Sequence, residues 1–311
     1  AFRTRHGDVR ALDDIGFTLA PSEILGVVGE SGAGKSLTGA AIIGLLPGSG
    51  RITAGEVRLA GRRIDNLPRE ELRRLRGREI GCIFQDPLTS LNPLYTVAQQ
   101  IVQTVRVHLG LGKAAARRRA LELLQAVGIP AAEDRLDSYP HEFSGGMRQR
   151  VVIALALAAD PKLIIADEPT TALDVSVQAQ ITALLRRLCR ERGTAAILIT
   201  HDMGVIAETA DRVAVMYAGR LVEIGDVDTI VGAPHHPYTR GLMDSIPPLE
   251  SETERLAQIA GAMPGLTAIP PGCAFHPRCP RALARCARER PPLFAAGSGA
   301  AVCWLREGAA P

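Results

Sequence analysis

The stretch Gly29-Glu-Ser-Gly-Ala-Gly-Lys-Ser36 fits the pattern G-x-x-x-x-G-K-[ST], which is typical of a phosphate-binding loop between a strand and a helix. The apolar residues 24–28 before it predict a buried strand, and residues 37–45 after it predict a helix. Glycines in such a loop let backbone amides converge on phosphate oxygens at the positive end of the helix. A glycine-rich turn that holds no ligand is the alternative interpretation.

The residues of this loop predict a nucleotide site. We expect the Lys35 ammonium to meet the outer phosphates and the Ser36 hydroxyl to bind Mg²⁺. The other predicted nucleotide contacts are Gly29, Ser31, Gly32, Ala33, Gly34 and Leu37.

Further short apolar runs predict an α/β fold with a mostly parallel sheet. They cover residues 80–84, 163–166, 195–199 and 213–216. Helical stretches separate them, which is typical of a parallel sheet covered by helices. The longest, roughly residues 96–127 and 151–159 with breaks at 110–112 and 128–130, predict a helical subdomain at about 90–158.

Composition indicates a folded protein and a domain boundary. The 311 residues are 46% hydrophobic and 22% charged, as in ordinary globular chains. The longest apolar run, residues 151–159, is far shorter than the roughly 18 residues of a membrane-spanning helix. We therefore expect no membrane span, and we see no export signal. After Gly225 the chain becomes rich in proline, which predicts a main domain at 1–230 and a small irregular C-terminal extension at 231–311.

Two adjacent carboxylates end the third predicted strand, in Leu163-Ile-Ile-Ala-Asp-Glu168. Beside a phosphate-binding loop, Asp167 is expected to hold Mg²⁺ through its water shell. Glu168 is expected to polarise the water that attacks the phosphate.

A third motif, Phe143-Ser-Gly-Gly-Met-Arg-Gln149, precedes an apolar helix; alone it fits a flexible turn or a helix cap. With the preceding motifs in this order, the chain resembles ATP-binding cassette (ABC) ATPases, whose signature is a Ser-Gly-Gly loop that opens a helix. Gln85 resembles the Q-loop of that family, Ala172-Leu173-Asp174 the D-loop, and Thr200-His201-Asp202 the switch histidine.

The resemblance implies a P-loop ABC ATPase with a composite site, in which ATP is sandwiched between the phosphate loop of one cassette and the signature loop of a second. The implied catalytic residues are Glu168, His201 and Gln85, and Gln85 would also contact Mg²⁺. His201 would meet the γ-phosphate, although a surface histidine is the alternative. The implied signature and dimer-interface residues are Ser144, Gly145, Gly146, Met147 and Asp174.

The adenine contact is less well defined by the sequence. The family stacks adenine on an aromatic residue shortly before its first core strands. Here His6 stands at that place, with Phe2 nearby, and either side chain could stack.

Three segments resemble the ATPase subunits of bacterial dipeptide and oligopeptide importers: residues 84–93, residues 143–150 and His236-Pro-Tyr-Thr-Arg240. This implies two transmembrane permease subunits, a second ATPase, an extracytoplasmic substrate-binding protein, and a peripheral location on the cytoplasmic face of the bacterial inner membrane. Nickel and glutathione importers share these features. ABC ATPases that act on nucleic acid are a further alternative, but no basic stripe lies outside the tail, so we expect no nucleic-acid partner.

Four cysteines, Cys273, Cys279, Cys286 and Cys303, cluster near the end of the chain. The segment around the first two resembles the C-terminal extension of the peptide-importer ATPases, which implies a four-iron, four-sulfur (4Fe-4S) cluster. Six arginines against two acidic residues from position 273 onward would offset its negative charge. A zinc site with the same four ligands, or free thiols and disulfides, are the alternatives.

Overall fold

The computed structural model describes residues 1–5, 7–171, 173–246 and 258–308. Its strands are β1 (Phe2–Thr4), β2 (Gly7–Val9), β3 (Ile24–Val28), β4 (Arg58–Leu59), β5 (Arg62–Arg63), β6 (Ile80–Ile83), β7 (Leu163–Asp167), β8 (Ala195–Ile199), β9 (Arg212–Tyr217), β10 (Arg220–Asp226), β11 (Phe294–Ala296) and β12 (Gly299–Ala301). Its helices are α1 (Lys35–Ile42), α2 (Arg69–Leu75), α3 (Pro87–Ser90), α4 (Val97–Leu109), α5 (Lys113–Ala126), α6 (Ala132–Arg135), α7 (Gly145–Ala156), α8 (Val175–Arg192), α9 (Met203–Thr209), α10 (Val227–Gly232) and α11 (Pro237–Asp244). Short 3₁₀ turns lie at Pro140–Glu142, His276–Arg278, Ala284–Ala287 and Trp304–Arg306.

The predicted α/β architecture is confirmed. Strands β3, β6, β7, β8 and β9 occupy the five apolar runs, and their side chains are almost all buried. The predicted helix breaks also occur. Helix α4 ends before Gly110, which adopts a left-handed conformation (φ +67°), and α5 ends before Gly128.

One compact unit comprises the described residues within 1–18, 25–56 and 199–311. Five of its strands lie side by side in the order β11-β12-β10-β9-β3, and β1 and β2 form a separate antiparallel pair. Strand β3 pairs with β9 in parallel, from Leu25 opposite Arg212 to Val28 opposite Val215. The remaining pairs, β9 with β10, β10 with β12 and β12 with β11, are antiparallel. The phosphate-binding loop follows directly at the carboxyl end of β3.

The second unit comprises residues 19–24 and the described residues of 57–198. Three of its strands lie in the order β8-β7-β6, with β6 and β7 parallel from Ile80 opposite Leu163, and β4 and β5 form a separate antiparallel pair. Helix α4 packs against α5, and both pack against α7. The boundary near residue 230 and the helical subdomain at about 90–158 stay predictions. Within the described parts of the chain, no helix combines the length and the apolar character that crossing a membrane requires.

Candidate nucleotide-binding site

The backbone of the phosphate-binding loop requires glycine. Gly29, Gly32 and Gly34 have φ angles of +150°, +83° and +101°, a region that other residues rarely adopt. A Cβ atom added to Gly29 would lie 2.3 Å from the carbonyl oxygen of Met216 in β9. The loop therefore lies directly against the neighbouring strand.

Lys35 is buried inside this loop, with 7% of its surface exposed. Its Nζ donates to the carbonyl oxygens of Gly29 (2.7 Å) and Glu30 (3.1 Å). These bonds hold the ammonium against the backbone of the loop. Ser36, the first residue after it, is exposed in the opening turn of α1. The other predicted contacts lie in the loop and in the first turn of α1: Gly29, Ser31, Gly32, Ala33, Gly34 and Leu37.

Glu30, in the same loop, has partners in the C-terminal extension that the sequence did not predict. The Tyr238 hydroxyl accepts from the Glu30 backbone N–H at 2.8 Å. Two guanidinium nitrogens of Arg278 donate to the Glu30 carboxylate at 2.7 and 2.9 Å. The sequence offered a weak signal for Tyr238, which lies in the His-Pro-Tyr segment, and none that joins Arg278 to the loop.

His201 follows β8 and is exposed. The next residue, Asp202, caps α9 by accepting from the backbone N–H groups of Gly204 (2.8 Å) and Val205 (3.2 Å). The cap fixes the backbone beside His201 while leaving its ring at the surface. Of the two adenine candidates, His6 lies outside the described residues. The ring of Phe2 lies over Gly50, where an added Cβ atom would approach it to 2.8 Å.

In the second unit, Glu168 stands immediately after β7, the strand that ends at Asp167. Its backbone has a φ of +48°, which is unusual for a residue with a side chain. Its Oε2 accepts from Gln85 Nε2 (3.1 Å) and from Thr171 Oγ1 (2.9 Å). The structure therefore brings two of the three predicted catalytic side chains together, and Thr171 is a contact that the sequence did not predict.

The signature segment opens α7, where the Ser144 hydroxyl accepts from the backbone N–H of Met147 at 3.4 Å. Gly145 and Gly146 form the first turn, and a Cβ atom added to Gly146 would lie 2.7 Å from a methyl group of Val177. Glycine therefore lets α8 approach α7 closely.

Asp174 caps α8 by accepting from the Val177 backbone N–H (2.9 Å) and from the Ser176 hydroxyl (2.7 Å). The hydrogen bond from the Ser176 hydroxyl and, to a lesser degree, the one from the Val177 backbone N–H lower the pKa of the exposed Asp174 carboxyl. The carboxylate is therefore charged at neutral pH.

The predicted 4Fe-4S cluster at Cys273, Cys279, Cys286 and Cys303, and the zinc alternative with the same ligands, are wrong. Among the residues that the structure describes, no group of three or more His, Cys, Asp or Glu side chains is placed to hold a metal ion. The four cysteines are free thiols. Burial raises the pKa of the Cys273 and Cys279 thiols and raises that of Cys303 to about 11, which favours thiols over the thiolates that bind metals.

Three of the six arginines from position 273 onward pair with carboxylates. Arg278 pairs with Glu30, Arg285 with Glu307 at 3.0 Å, and Arg290 with Asp13 at 3.2 Å. Their charge is thus offset by carboxylates. These pairs therefore offset part of the charge excess that suggested an anionic cluster.

Comparison with known proteins identifies the family. Residues 12–171 match the ABC transporter family, and residues 222–286 match the oligopeptide/dipeptide transporter C-terminal region. The chain is 52% identical over 298 residues to the oligopeptide transport ATP-binding protein OppD of Salmonella typhimurium, covering 96% of this chain and 88% of that protein. It is 49% identical over 284 residues to the dipeptide transport ATP-binding protein DppD of Escherichia coli, covering 91% and 87%.

A solved structure agrees with this result. The dimeric bacterial ABC transporter cassette MJ0796 superposes with a TM-score of 0.64 at 30% identity, covering 73% of this chain and 94% of that one. The likeness to known ABC proteins therefore extends from the sequence to the fold. The chain belongs to the ABC transporter family of ATPases, in the group that carries the oligopeptide/dipeptide transporter C-terminal region.

Proposed function

We propose that the chain is the ATP-hydrolysing subunit of a bacterial importer of short peptides. The observation that carries this is the roughly 50% identity, over nearly the whole chain, to two peptide-transport ATP-binding proteins. In this proposal the chain works with two membrane permease subunits, a second ATPase and an extracytoplasmic substrate-binding protein. It lies on the cytoplasmic face of the inner membrane, with residues 1–230 as the nucleotide-binding domain.

The phosphate-binding loop binds the triphosphate of ATP. The buried Lys35 exchanges its carbonyl partners in the loop for phosphate oxygens, and the backbone N–H groups of residues 29–37 supply further donors. Ser36, Gln85 and Asp167 offer the oxygen ligands that Mg²⁺ prefers, and the ion would offset charge on the phosphates.

Glu168 acts as the general base for the attacking water. Its carboxylate accepts from Gln85 and Thr171 through one oxygen, Oε2, and the two bonds restrain the position of that oxygen. A base held in one orientation aligns the water and accepts its proton as the bond to the γ-phosphorus forms. Because Gln85 contacts Glu168 directly, a movement of Gln85 caused by the permease would change the position of the base.

Hydrolysis requires two cassettes in this proposal. Residues Ser144, Gly145, Gly146 and Met147 of one cassette contact the ATP held by the loop of the other, and Asp174 lies at the interface. His201 contacts the γ-phosphate. Closure of the two cassettes on ATP, and their opening after hydrolysis, then drive the conformational change of the permease.

The substitution Glu168→Gln tests this proposal in the assembled transporter. We expect ATP turnover to fall by about 100-fold or more, because loss of a general base typically costs 10²–10⁴ in rate. Binding of MgATP should remain, since glutamine keeps the size of the side chain. Glu133→Gln, at an exposed glutamate in α6, is the matched control and should keep normal turnover. Full ATPase activity in Glu168→Gln would exclude Glu168 as the base.

A further inference from the structure

We propose that the C-terminal extension positions the phosphate-binding loop for ATP, with Arg278 and Tyr238 as positioning residues that act through Glu30. This inference rests on the nucleotide site proposed above. It assigns to the extension a role in nucleotide affinity. The residues concerned all lie in the first compact unit.

Three groups of Glu30 form hydrogen bonds: its backbone N–H, its carboxylate and its carbonyl oxygen. Its backbone N–H donates to the Tyr238 hydroxyl at 2.8 Å, and its carboxylate accepts from Arg278 at 2.7 and 2.9 Å. Its carbonyl oxygen accepts from Lys35 Nζ at 3.1 Å and from the Ala33 backbone N–H at 3.1 Å. One residue thus connects the extension to both the lysine and the backbone of the phosphate-binding loop.

The Arg278 side chain is itself fixed in place, with 6% of its surface exposed. Its Nε donates to the carbonyl oxygen of Ala260 at 2.7 Å. The guanidinium lies 5.8 Å from the ring centre of Tyr217 and 6.0 Å from that of Phe275, within the range of cation–π attraction. A two-point bond from an arginine with so little freedom defines both the position and the plane of the Glu30 carboxylate.

Tyr238 is also held in place: it lies in the first turn of α11 and is fully buried. Its ring packs against Tyr217 at 4.7 Å and Phe275 at 5.3 Å between ring centres. Its backbone N–H donates to Nδ1 of the buried His236 at 3.0 Å. The hydroxyl therefore reaches the loop from a packed aromatic cluster that the extension builds around Phe275.

The charge of Arg278 is a second reason to expect an effect on ATP binding. The Glu30 carboxylate belongs to the loop that receives the negatively charged phosphates. Arg278 offsets that carboxylate, so the loop presents the Lys35 ammonium to ATP without a competing negative charge. Loss of Arg278 would leave Glu30 both mobile and uncompensated. A merely structural arginine would have no such effect on nucleotide affinity.

The test compares affinities for a fluorescent ATP analogue with Mg²⁺ in the full-length chain. Its variants are Arg278→Gln, Arg278→Lys, Glu30→Gln, the double variant Arg278→Gln/Glu30→Gln, and Tyr238→Phe. Arg288→Gln is the matched control, because Arg288 is an exposed arginine of the same extension. Thermal unfolding of each variant separates loss of stability from loss of affinity.

We expect Arg278→Gln to weaken binding about fivefold or more, within the range typical of coupling between sites. Arg278→Lys, which keeps the charge, should bind more tightly than Arg278→Gln. The double variant should recover part of the lost affinity, because the uncompensated carboxylate is gone although the bond that positions residue 30 remains lost. Tyr238→Phe removes the hydroxyl oxygen with little change in packing and should weaken binding about twofold to fivefold. This variant tests the inference even if Arg278→Gln does not fold.

The inference is overturned if Arg278→Gln or Tyr238→Phe binds like the control, or if the double variant binds as weakly as Arg278→Gln. Lys35→Ala tests the nucleotide site itself and should lose binding. Normal binding by Lys35→Ala would reject the proposed site, whereas its loss together with normal binding by Arg278→Gln would reject only the role of the extension.

Discussion

The phosphate-binding loop and the C-terminal extension place polar groups in the protein interior in different ways. In the loop, glycines with positive φ angles turn the backbone inward, and the buried Lys35 finds two carbonyl partners within six residues of its own position. In the extension, burial lowers the pKa of His236 and raises the pKa of the Cys303 thiol, and both shifts favour the neutral side chain. The two regions therefore differ in what surrounds the buried group: Lys35 lies against two carbonyl acceptors of its own loop, whereas desolvation favours the neutral forms of His236 and Cys303.

The largest effect should come from changing the backbone of the loop. Gly29→Ala adds a Cβ atom 2.3 Å from the Met216 carbonyl oxygen, at a φ of +150°. We expect a loss of about 2–4 kcal/mol in the free energy of unfolding, together with loss of ATP binding. Urea unfolding and nucleotide titration measure the two effects. Gly32→Ala is the control, because a Cβ there meets nothing within 4 Å and only the backbone strain remains.

A smaller effect should appear in the extension at acidic pH. Burial lowers the pKa of His236 from 6.5 to about 4, so the unfolded chain takes up a proton there before the folded chain does. Stability is therefore lost as pH falls below about 6.5, by about 2 kcal/mol at pH 5 from this group.

The variant His236→Asn removes this titration and keeps an acceptor for the Tyr238 backbone N–H. Urea unfolding at pH 7 and pH 5 should show a smaller acid-induced loss in this variant than in the unchanged protein. His141→Asn, at an exposed histidine, should keep the full loss. An equal loss in all three proteins would mean that His236 is not buried in its neutral form.

The smallest effect concerns the reactivity of Cys303. Burial raises the pKa of its thiol to about 11. Since the thiolate is the reactive form, its alkylation by iodoacetamide should rise about tenfold per pH unit between pH 8 and pH 10 in the folded protein. In the urea-unfolded chain the rate should level off near pH 9. Mass spectrometry reports the rate at this residue alone, and a plateau below pH 9 in the folded protein would show that the thiol is not buried as described.

Local patterns explain which parts of the fold were predictable. The five core strands follow from short apolar runs, because residues buried on both faces of a sheet are apolar at successive positions. The helix break at Gly110 follows from the left-handed conformation that glycine adopts at a helix end. The phosphate-binding loop follows from glycine spacing, because the geometry of the backbone is fixed within eight residues.

The sequence by itself thus determined the α/β fold, the phosphate-binding loop, the carboxylates that end β7 and the family of ABC ATPases. Only the tertiary structure decided the arrangement of the cysteines, the Thr171 contact to Glu168 and the pairing of Arg278 with Glu30 across 248 positions of the chain. The physical reason is the separation along the chain of the residues that interact. Backbone geometry and apolar periodicity are properties of neighbouring residues, whereas the distance between side chains far apart in the chain is set only when the whole core packs.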